Sequence, residues 1–185
     1  MFTGIVQAIG RVLRSAPFEV DTGTLDLAGV NVGDSICVQG ACLTVTALRP
    51  RGFTADVSAE TLRVTTGLER PGAVNLEKSV ALGAPLGGHL VTGHVDGVGE
   101  VVSRNGTVFR FRTPKGLEKY VAAKGSICVD GVSLTVNRAE RDEFEVNLIP
   151  HTLQVTTLSR LEPGVRVNLE VDLIARYVER MLHGT

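Results

Sequence analysis

The chain has 185 residues, a formal net charge of −1, and 43% hydrophobic against 21% charged residues, which is ordinary globular composition. It has no run of about 18 apolar residues, a near-zero charge, 4% aromatics and no Trp, which excludes a helical membrane span and argues against a nucleic-acid binder with a basic face or stacking platform. The start Met1-Phe2-Thr3-Gly4-Ile5-Val6 lacks a basic stretch followed by a long apolar one, and the cysteines are Cys37, Cys42 and Cys128, an odd number; free thiols in a reducing cytoplasm are expected.

Val is abundant and Gly numbers 21, against few Lys and 2 Met. Branched Val packs well on pleated strands, and Gly marks the turns between them. Along the chain, short Val/Ile/Leu segments are punctuated by Gly and Pro every eight to twelve residues or so, the spacing of an antiparallel sandwich or barrel. The first block is Thr3-Gly4-Ile5-Val6, continuing through Gly10-Arg11-Val12. A second is Ser35-Ile36-Cys37-Val38-Gln39-Gly40-Ala41-Cys42-Leu43-Thr44-Val45. Ser58-Ala59-Glu60-Thr61-Leu62 suits a single helical turn, and Val74-Asn75-Leu76-Glu77 a strand. Gly83, Pro85, Gly87 and Gly88 make a linker.

After the linker the same blocks return in the same order. They are Thr92-Gly93-His94-Val95 with Gly99-Glu100-Val101, then Ser126-Ile127-Cys128-Val129-Asp130-Gly131-Val132-Ser133-Leu134-Thr135-Val136, then Val167-Asn168-Leu169-Glu170. Between the last two, Thr152-Leu153-Gln154-Val155-Thr156-Thr157 repeats Thr61-Leu62-Arg63-Val64-Thr65-Thr66. A period of about ninety residues is too long for a solenoid unit and long enough for a small domain. The expected domains are therefore residues 1–89 and 90–171, followed by a C-terminal segment 172–185. Thr113 to Tyr120 is expected to begin a short helix, with Thr113 as cap and Pro114 in the first turn. Asp172 caps a predicted helix over Leu173–His183, stopped by Gly184. Its apolar face, Leu173, Ile174, Tyr177, Val178, Met181 and Leu182, either packs on its own barrel or joins chains.

Strand alternation orients the best-preserved block: Leu43 and Val45 share one face, Cys42 and Thr44 the other, with Leu134 and Val136 against Ser133 and Thr135 in the second copy. The repeated polar strip is either a solvated strand face or a ligand groove. Where the copies differ, Cys42 becomes Ser133, Ile5 becomes His94, Asp56 becomes Asn147 and Ser58 becomes Ile149. Two related surfaces with unlike nucleophiles suit two similar ligands treated differently. Cys37 and Cys128 stand at equivalent positions and read as small core residues. His89 and His94 are five apart, on opposite faces of a continuous strand, and Cys-x-x-Cys is absent, so no metal site is expected.

Met-Phe-Thr-Gly-Ile-Val-Gln at the start, Gly40-Ala41-Cys42-Leu43-Thr44-Val45, Gly87-Gly88-His89-Leu90-Val91-Thr92-Gly93-His94-Val95 and Asp130-Gly131-Val132-Ser133-Leu134-Thr135-Val136 together closely resemble the riboflavin synthase family of the trimeric alpha type. The resemblance covers the whole chain. It implies an all-β fold of two tandem homologous six-stranded antiparallel β-barrels with short helices, each barrel binding lumazine, and a C-terminal α-helix that joins a homotrimer. It implies dismutation of two molecules of 6,7-dimethyl-8-ribityllumazine by four-carbon transfer at an inter-subunit site, giving riboflavin and 5-amino-6-ribitylamino-2,4(1H,3H)-pyrimidinedione. No cofactor or metal is implied, and a lumazine synthase shell as partner is left open.

The resemblance further implies a first pocket using Gly4, Ile5, Val6, Cys42, Leu43, Thr44 and the stretch Asp56, Val57, Ser58, Ala59, Glu60, Thr61. The second pocket would use Gly93, His94, Val95, Lys124, Ser133, Leu134, Thr135 and the stretch Asn147, Leu148, Ile149, Pro150, His151, Thr152. Cys42, His94 and Ser133 are the candidates for chemistry, with Phe2 shaping the pocket. An imidazole with a pKa of about 6.5 is suited to moving protons near neutrality. A thiol at about 8.5 need not be ionised. Lys124 is either a ligand contact or an exposed strand-end charge, Asp172 a ligand contact or the helix cap, and His89 an organiser of the linker turn. Ala41 stands where the family often has Cys, and His151 where Glu is common. The rival reading is a lumazine- or flavin-binding antenna of the same superfamily, which loses parts of one pocket; retention of His94, Lys124, Ser133 and Thr135 favours the enzyme. A purely structural assembly module has no need for the Cys42/Ser133 and Ile5/His94 differences.

Overall fold

In the computed structural model, which describes residues 1–183, the first copy contributes strands β1 (Ala8–Ser15), β2 (Phe18–Asp21), β3 (Ser35–Val38), β4 (Ala41–Arg49), β5 (Gly52–Ala55) and β6 (Gly72–Lys78). They close into an antiparallel barrel in the order β1-β2-β5-β4-β3-β6. The second copy contributes β7 (Gly97–Asn105), β8 (Val108–Arg112), β9 (Ser126–Val129), β10 (Val132–Glu140), β11 (Glu143–Asn147) and β12 (Arg166–Val171), closed in the same cyclic order. Closure leaves neither sheet with an open edge. The expected two six-stranded barrels are thus the observed fold. Alternation explains the strands locally: in β4, Ala41, Leu43 and Val45 turn inward while Thr44 and Thr46 face out, and β10 repeats this with Val132, Leu134 and Val136. Register shifts between Val45 and Ala47, and between Val136 and Arg138, bend both strands at the same place.

Each barrel has its own apolar core. Val12, Phe18, Val20, Ile36, Phe53 and Leu76 fill the first; Phe109, Phe111 and Phe144 dominate the second, with Phe111 stacked on Phe144 at 5.3 Å between ring centroids. A fully buried side chain of this size contributes roughly 1.5–3 kcal/mol. A third, smaller cluster of Phe2, Cys37, Val91 and Cys128 seals the seam between the barrels. Burial pushes both thiols, Cys37 and Cys128, well up from the usual thiol range, which agrees with their expected role as inert core residues.

Among the described residues, three α-helices decorate the barrels. Helix α1 (Ala59–Val64) is capped by Ser58 Oγ, which accepts from Thr61 N at 3.0 Å. Its counterpart α2 (Pro150–Val155) has Ile149 at that place and starts on Pro150. The helix expected to begin at Thr113 is reduced to a 3-10 turn, Glu118–Tyr120. Thr113 is held to the barrel instead, since its N and Oγ1 both donate to Asp142 O, and Gly116 at φ +94° breaks the run. Helix α3 (Leu173–His183) begins as expected, with Asp172 Oδ1 accepting from Ile174 N at 2.9 Å. Gly184 lies outside the described residues. Helix α3 docks through polar groups: Arg176 pairs with Asp96, and Glu179 with Lys119 and Tyr120. Its apolar face points away from the barrels, leaving Tyr177 65% and Met181 82% exposed. Among the described residues no helix is long and apolar enough to cross a membrane.

Candidate functional site

The two barrels meet about a pseudo-twofold axis on which Phe2 and Val91, equivalent residues, pair with each other in an antiparallel bridge. Beyond this bridge the chain segments cross over. Gly93 O accepts from Cys42 N, and Gly4 O accepts from Ser133 N, both at 2.8 Å. The crossing demands glycine. A Cβ on Gly4 would lie 2.6 Å from Ser133 Cβ, and one on Gly93 would lie 2.6 Å from Cys42 Cβ; both residues also have positive φ, +74° and +79°. Each segment is anchored by a buried carboxylate of its own barrel. Glu77 accepts from the N and Oγ1 of Thr3 and from Gly4 N, and Glu170 accepts identically from Thr92 and Gly93. Burial raises both carboxyl pKa values, against the opposing effect of these hydrogen bonds.

The crossing exchanges half of each groove between the copies. Val95 packs on the first barrel's core and Val6 on the second's. Gly93-His94-Val95 therefore belongs with Cys42, and Gly4-Ile5-Val6 with Ser133. The grouping by copy that the resemblance implied pairs these loops differently from this crossing. Spacing within a copy carries no sign of an exchange that strands of the other barrel complete.

Behind the axis a second reciprocal set locks the barrels. Asn75 Nδ2 donates to Asp130 O and its Oδ1 accepts from Thr157 N; Asn168 Nδ2 donates to Gln39 O and its Oδ1 accepts from Thr66 N. The backbone N of Asn75 donates to Gln39 Oε1, that of Asn168 to Asp130 Oδ1. Here the copies differ chemically. Burial pushes the Asp130 carboxyl up to about 7, against hydrogen bonds from Asn168 and Gln39.

The Cys42 groove has a volume of about 150 Å3 and is lined by Ala41, Cys42, Glu60, Thr61, Val64, Thr65, Gly93, His94 and Val95. Cys42 is half-buried and His94 exposed, so a thiol and an imidazole share one open groove. Thr44, Asp56, Ser58, Ala59 and Glu60 are exposed around it, and Val57 and Thr61 partly so. Glu60 is engaged by Arg63, whose hydrogen bonds hold its carboxyl below the usual range. Around the half-buried Ser133 stand Gly4, the 48%-exposed Ile5 and the half-buried Val6; Thr135 and Lys124 are exposed on the same barrel. Lys124 ends the strand connection in a left-handed conformation, φ +68°, with its N donating to Val136 O. Asn147, Ile149, Pro150 and His151 are exposed and Thr152 partly so.

Four expected residues sit deeper than a pocket wall. The side chains of Leu43, Leu134 and Leu148 are barrel core, so only their backbone is free to meet a ligand. Phe2 is fully buried in the seam and shapes the grooves by holding the barrels together. One residue was assigned only to the linker turn: His89 is buried against Ser133, with Nδ1 2.7 Å from Oγ. Its sequence signal was a histidine between two glycines and the second copy, with no counterpart to compare.

A family model described as the lumazine binding domain matches residues 3–79 and again residues 92–172. The riboflavin synthase of Mycobacterium tuberculosis (strain ATCC 25618 / H37Rv) is 50% identical over 200 aligned residues, covering 100% of this chain and 99% of that one. The chain belongs to the riboflavin synthase family. The Photobacterium phosphoreum riboflavin synthase is 45% identical, over 98% of this chain and 89% of its own length. That of Bacillus subtilis (strain 168) is 39% identical, over 99% and 90%. Among solved structures, LumP complexed with riboflavin superimposes with a TM-score of 0.80 at 28% identity, and LumP complexed with 6,7-dimethyl-8-(1′-D-ribityl)lumazine with 0.77 at 26%; each covers 92% of this chain and 99% of LumP. As a member of this family the chain is an enzyme of riboflavin formation.

Proposed function

We propose that the chain catalyses the dismutation of two molecules of 6,7-dimethyl-8-ribityllumazine into riboflavin and 5-amino-6-ribitylamino-2,4(1H,3H)-pyrimidinedione. The supporting observation is the reciprocal crossing at Gly4 and Gly93, which builds two related grooves around unlike groups, Cys42 with His94 and Ser133 with Ile5. Donor and acceptor are the same compound, so related half-sites suit both. The products together hold the atoms of two substrates, and a four-carbon unit passes from one ring to the other without a co-substrate. The 7-methyl group is acidic because its anion delocalises into the ring, so the protein's tasks are pairing, anion stabilisation and proton movement. Holding the pair in reacting geometry can contribute roughly 7–11 kcal/mol.

In this reading Cys42, His94 and Ser133 serve the chemistry. Thr44, Thr61, Thr135, Thr152, Lys124 and backbone groups of the 56–61 and 147–152 stretches hold the pyrimidine edge and ribityl chain. The groove at Cys42 is smaller than the roughly 300 Å3 at which ligand-enclosing pockets begin, so it cradles one substrate without covering it. A neighbouring chain supplies the cover: the first barrel of one subunit faces the second barrel of the next. The uncovered apolar face of α3 supports a homotrimer joined through these helices. The free thiols of Cys37, Cys42 and Cys128 support a cytoplasmic enzyme.

The test is to mix the purified protein anaerobically with the lumazine, without added metal or nucleotide, and follow both compounds by chromatography. Two lumazines consumed per riboflavin formed is the expected result. Tight binding without riboflavin would refute dismutation and favour an antenna role.

A further inference from the structure

The reciprocal asparagine lock behind the axis borders a cleft of about 260 Å3, lined from both copies. Equivalent residues meet there, Gln39 with Asp130 and Thr66 with Thr157, but the walls are unlike. Where β6 brings Ala73, β12 brings Arg166 at the matching position. The turn Thr157–Arg160 adds Arg160, and the loop before β6 adds Arg70. These guanidinium groups stay charged at any working pH. Arg70 has an exposed pair with Glu69 at 3.5 Å, while Arg160 and Arg166 enter no ion pair among the described residues. Glu162, between them in sequence, is taken by Arg104. The larger cleft at the β10–β11 hairpin shows the contrast, since its Arg110 and Arg138 already face Glu143, Glu145 and Glu140. In the rear cleft a polar group also lacks a partner. Thr157 is more than nine-tenths buried; its N donates to Asn75 Oδ1, but its Oγ1 makes no hydrogen bond, a standing cost until an acceptor is supplied.

We propose that this cleft binds a small phosphate monoester, its phosphoryl oxygens held by Arg70, Arg160, Arg166 and the Thr157 hydroxyl, and its carbon chain lying against Pro71, Leu161 and Val165. Three guanidinium groups and a hydroxyl from separate segments suit a tetrahedral dianion better than a planar carboxylate with two oxygens. The volume lies just below the roughly 300 Å3 at which pockets for drug-sized ligands begin, which fits a phosphoryl group on a short chain. Asp130 also lines the cleft, but its Oδ1 is taken by Asn168 N, and burial pushes its carboxyl up to about 7, so in mildly acid solution it opposes an anion little. Arg70 belongs to the first copy, Arg160 and Arg166 to the second, so one bound phosphoryl group ties the barrels across the seam and stabilises the assembled fold.

The site is independent of the dismutation reading. The test is calorimetric titration of the full chain with glycerol 3-phosphate, at about pH 6 and fixed ionic strength. Saturable binding of one ester per chain is expected, with none of glycerol and no displacement by 6,7-dimethyl-8-ribityllumazine. Arg166→Ala, which gives the second copy the residue of the first, and Arg160→Gln should each weaken binding at least roughly tenfold. Arg141→Asn, in the larger cleft, should leave it unchanged. Thr157→Val should weaken binding roughly threefold or more, while the ligand-free variant is at least as stable as the wild type to urea, because a hydroxyl with no partner has been removed. Absence of saturable binding would overturn the proposal, as would wild-type affinity in both arginine variants or displacement by the lumazine. Inorganic phosphate or malonate binding as tightly as the ester would overturn the ligand class. Circular dichroism checks the fold of each variant, and if one arginine variant does not fold the other decides.

Discussion

Gly93→Ala is the sharpest probe of the crossing, because the chain supplies its own control. Gly29 has the same φ, +79°, but a Cβ there would meet nothing within 4 Å. Gly29→Ala therefore reads the backbone cost alone, about 1–2 kcal/mol for a left-handed alanine, less roughly 0.4–1 kcal/mol recovered from the unfolded chain. At Gly93 the same cost applies, and the new methyl also meets Cys42 Cβ at 2.6 Å, Cys42 N at 2.8 Å and Cys42 Cα at 3.0 Å. Ordinary carbon contacts lie near 3.5–4.0 Å, so loop and strand must separate by about 1 Å. That breaks the 2.8 Å bond from Cys42 N to Gly93 O and adds roughly 1–3 kcal/mol for strain and a lost partner. Urea denaturation at one fixed protein concentration should show Gly93→Ala less stable than Gly29→Ala by at least about 1 kcal/mol. Gly4→Ala, with the same contacts to Ser133, should match Gly93→Ala. Equal midpoints for the Gly29 and Gly93 variants would refute the close-approach argument.

Four further outcomes are expected. Asn75→Ala leaves Thr157 N and Asp130 O without partners across the barrel seam and should cost about 2–4 kcal/mol in the same assay; a loss below about 1 kcal/mol would mean that water replaces the amide. Asp130 has its folded pKa raised from 3.8 to about 7, so its protonated form favours the fold. Its contribution is full below about pH 3.8 and is lost as pH rises through 7, on the order of 4 kcal/mol. Wild-type stability should fall between pH 4 and pH 8 more than that of Asp130→Asn, with Glu77 and Glu170 adding the same trend to both; parallel curves would contradict this. A thiol reagent should modify Cys42 in the folded protein and leave Cys37 and Cys128 until unfolding, with the lumazine slowing the first reaction; rapid modification of all three would show that the seam opens. If the proposed homotrimer forms through α3, Met181→Asp, placed where the side chain is 82% exposed, should give a monomer in sedimentation and abolish riboflavin formation while the circular dichroism of the barrels persists. A fully active monomer would refute the shared site.

The repeat made the fold legible because it appears twice in order, and strand alternation in Leu43/Val45 and Leu134/Val136 fixed which faces fill the barrels. The helical turn at Ser58 and the Asp172 cap were readable because each is a local signal answered within three residues. What the sequence concealed is non-local. Nothing near Gly93 announces that its carbonyl will meet Cys42 of the other copy, and nothing near His89 announces Ser133, 44 residues away. The helix expected at Thr113 failed for a related reason, since a cap residue with a better partner across the barrel, Asp142 O, has no need of a helix.

The positions that hold the frame have stayed alike in the two copies, and most of those that face the grooves have not. Gly4 and Gly93, Glu77 and Glu170, Asn75 and Asn168 are identical and keep matching partners on both sides of the axis. Cys42 and Ser133, and Ile5 and His94, occupy matching places with unlike chemistry. Such a division is what one reaction on two identical substrates requires, since a symmetric frame alone would treat both molecules the same way. The exception is instructive: Gln39 and Asp130 differ although both lie in the rear lock. Their backbone carbonyls serve the opposite asparagines equally, so the frame tolerates either side chain, and the difference survives only as a dependence on pH.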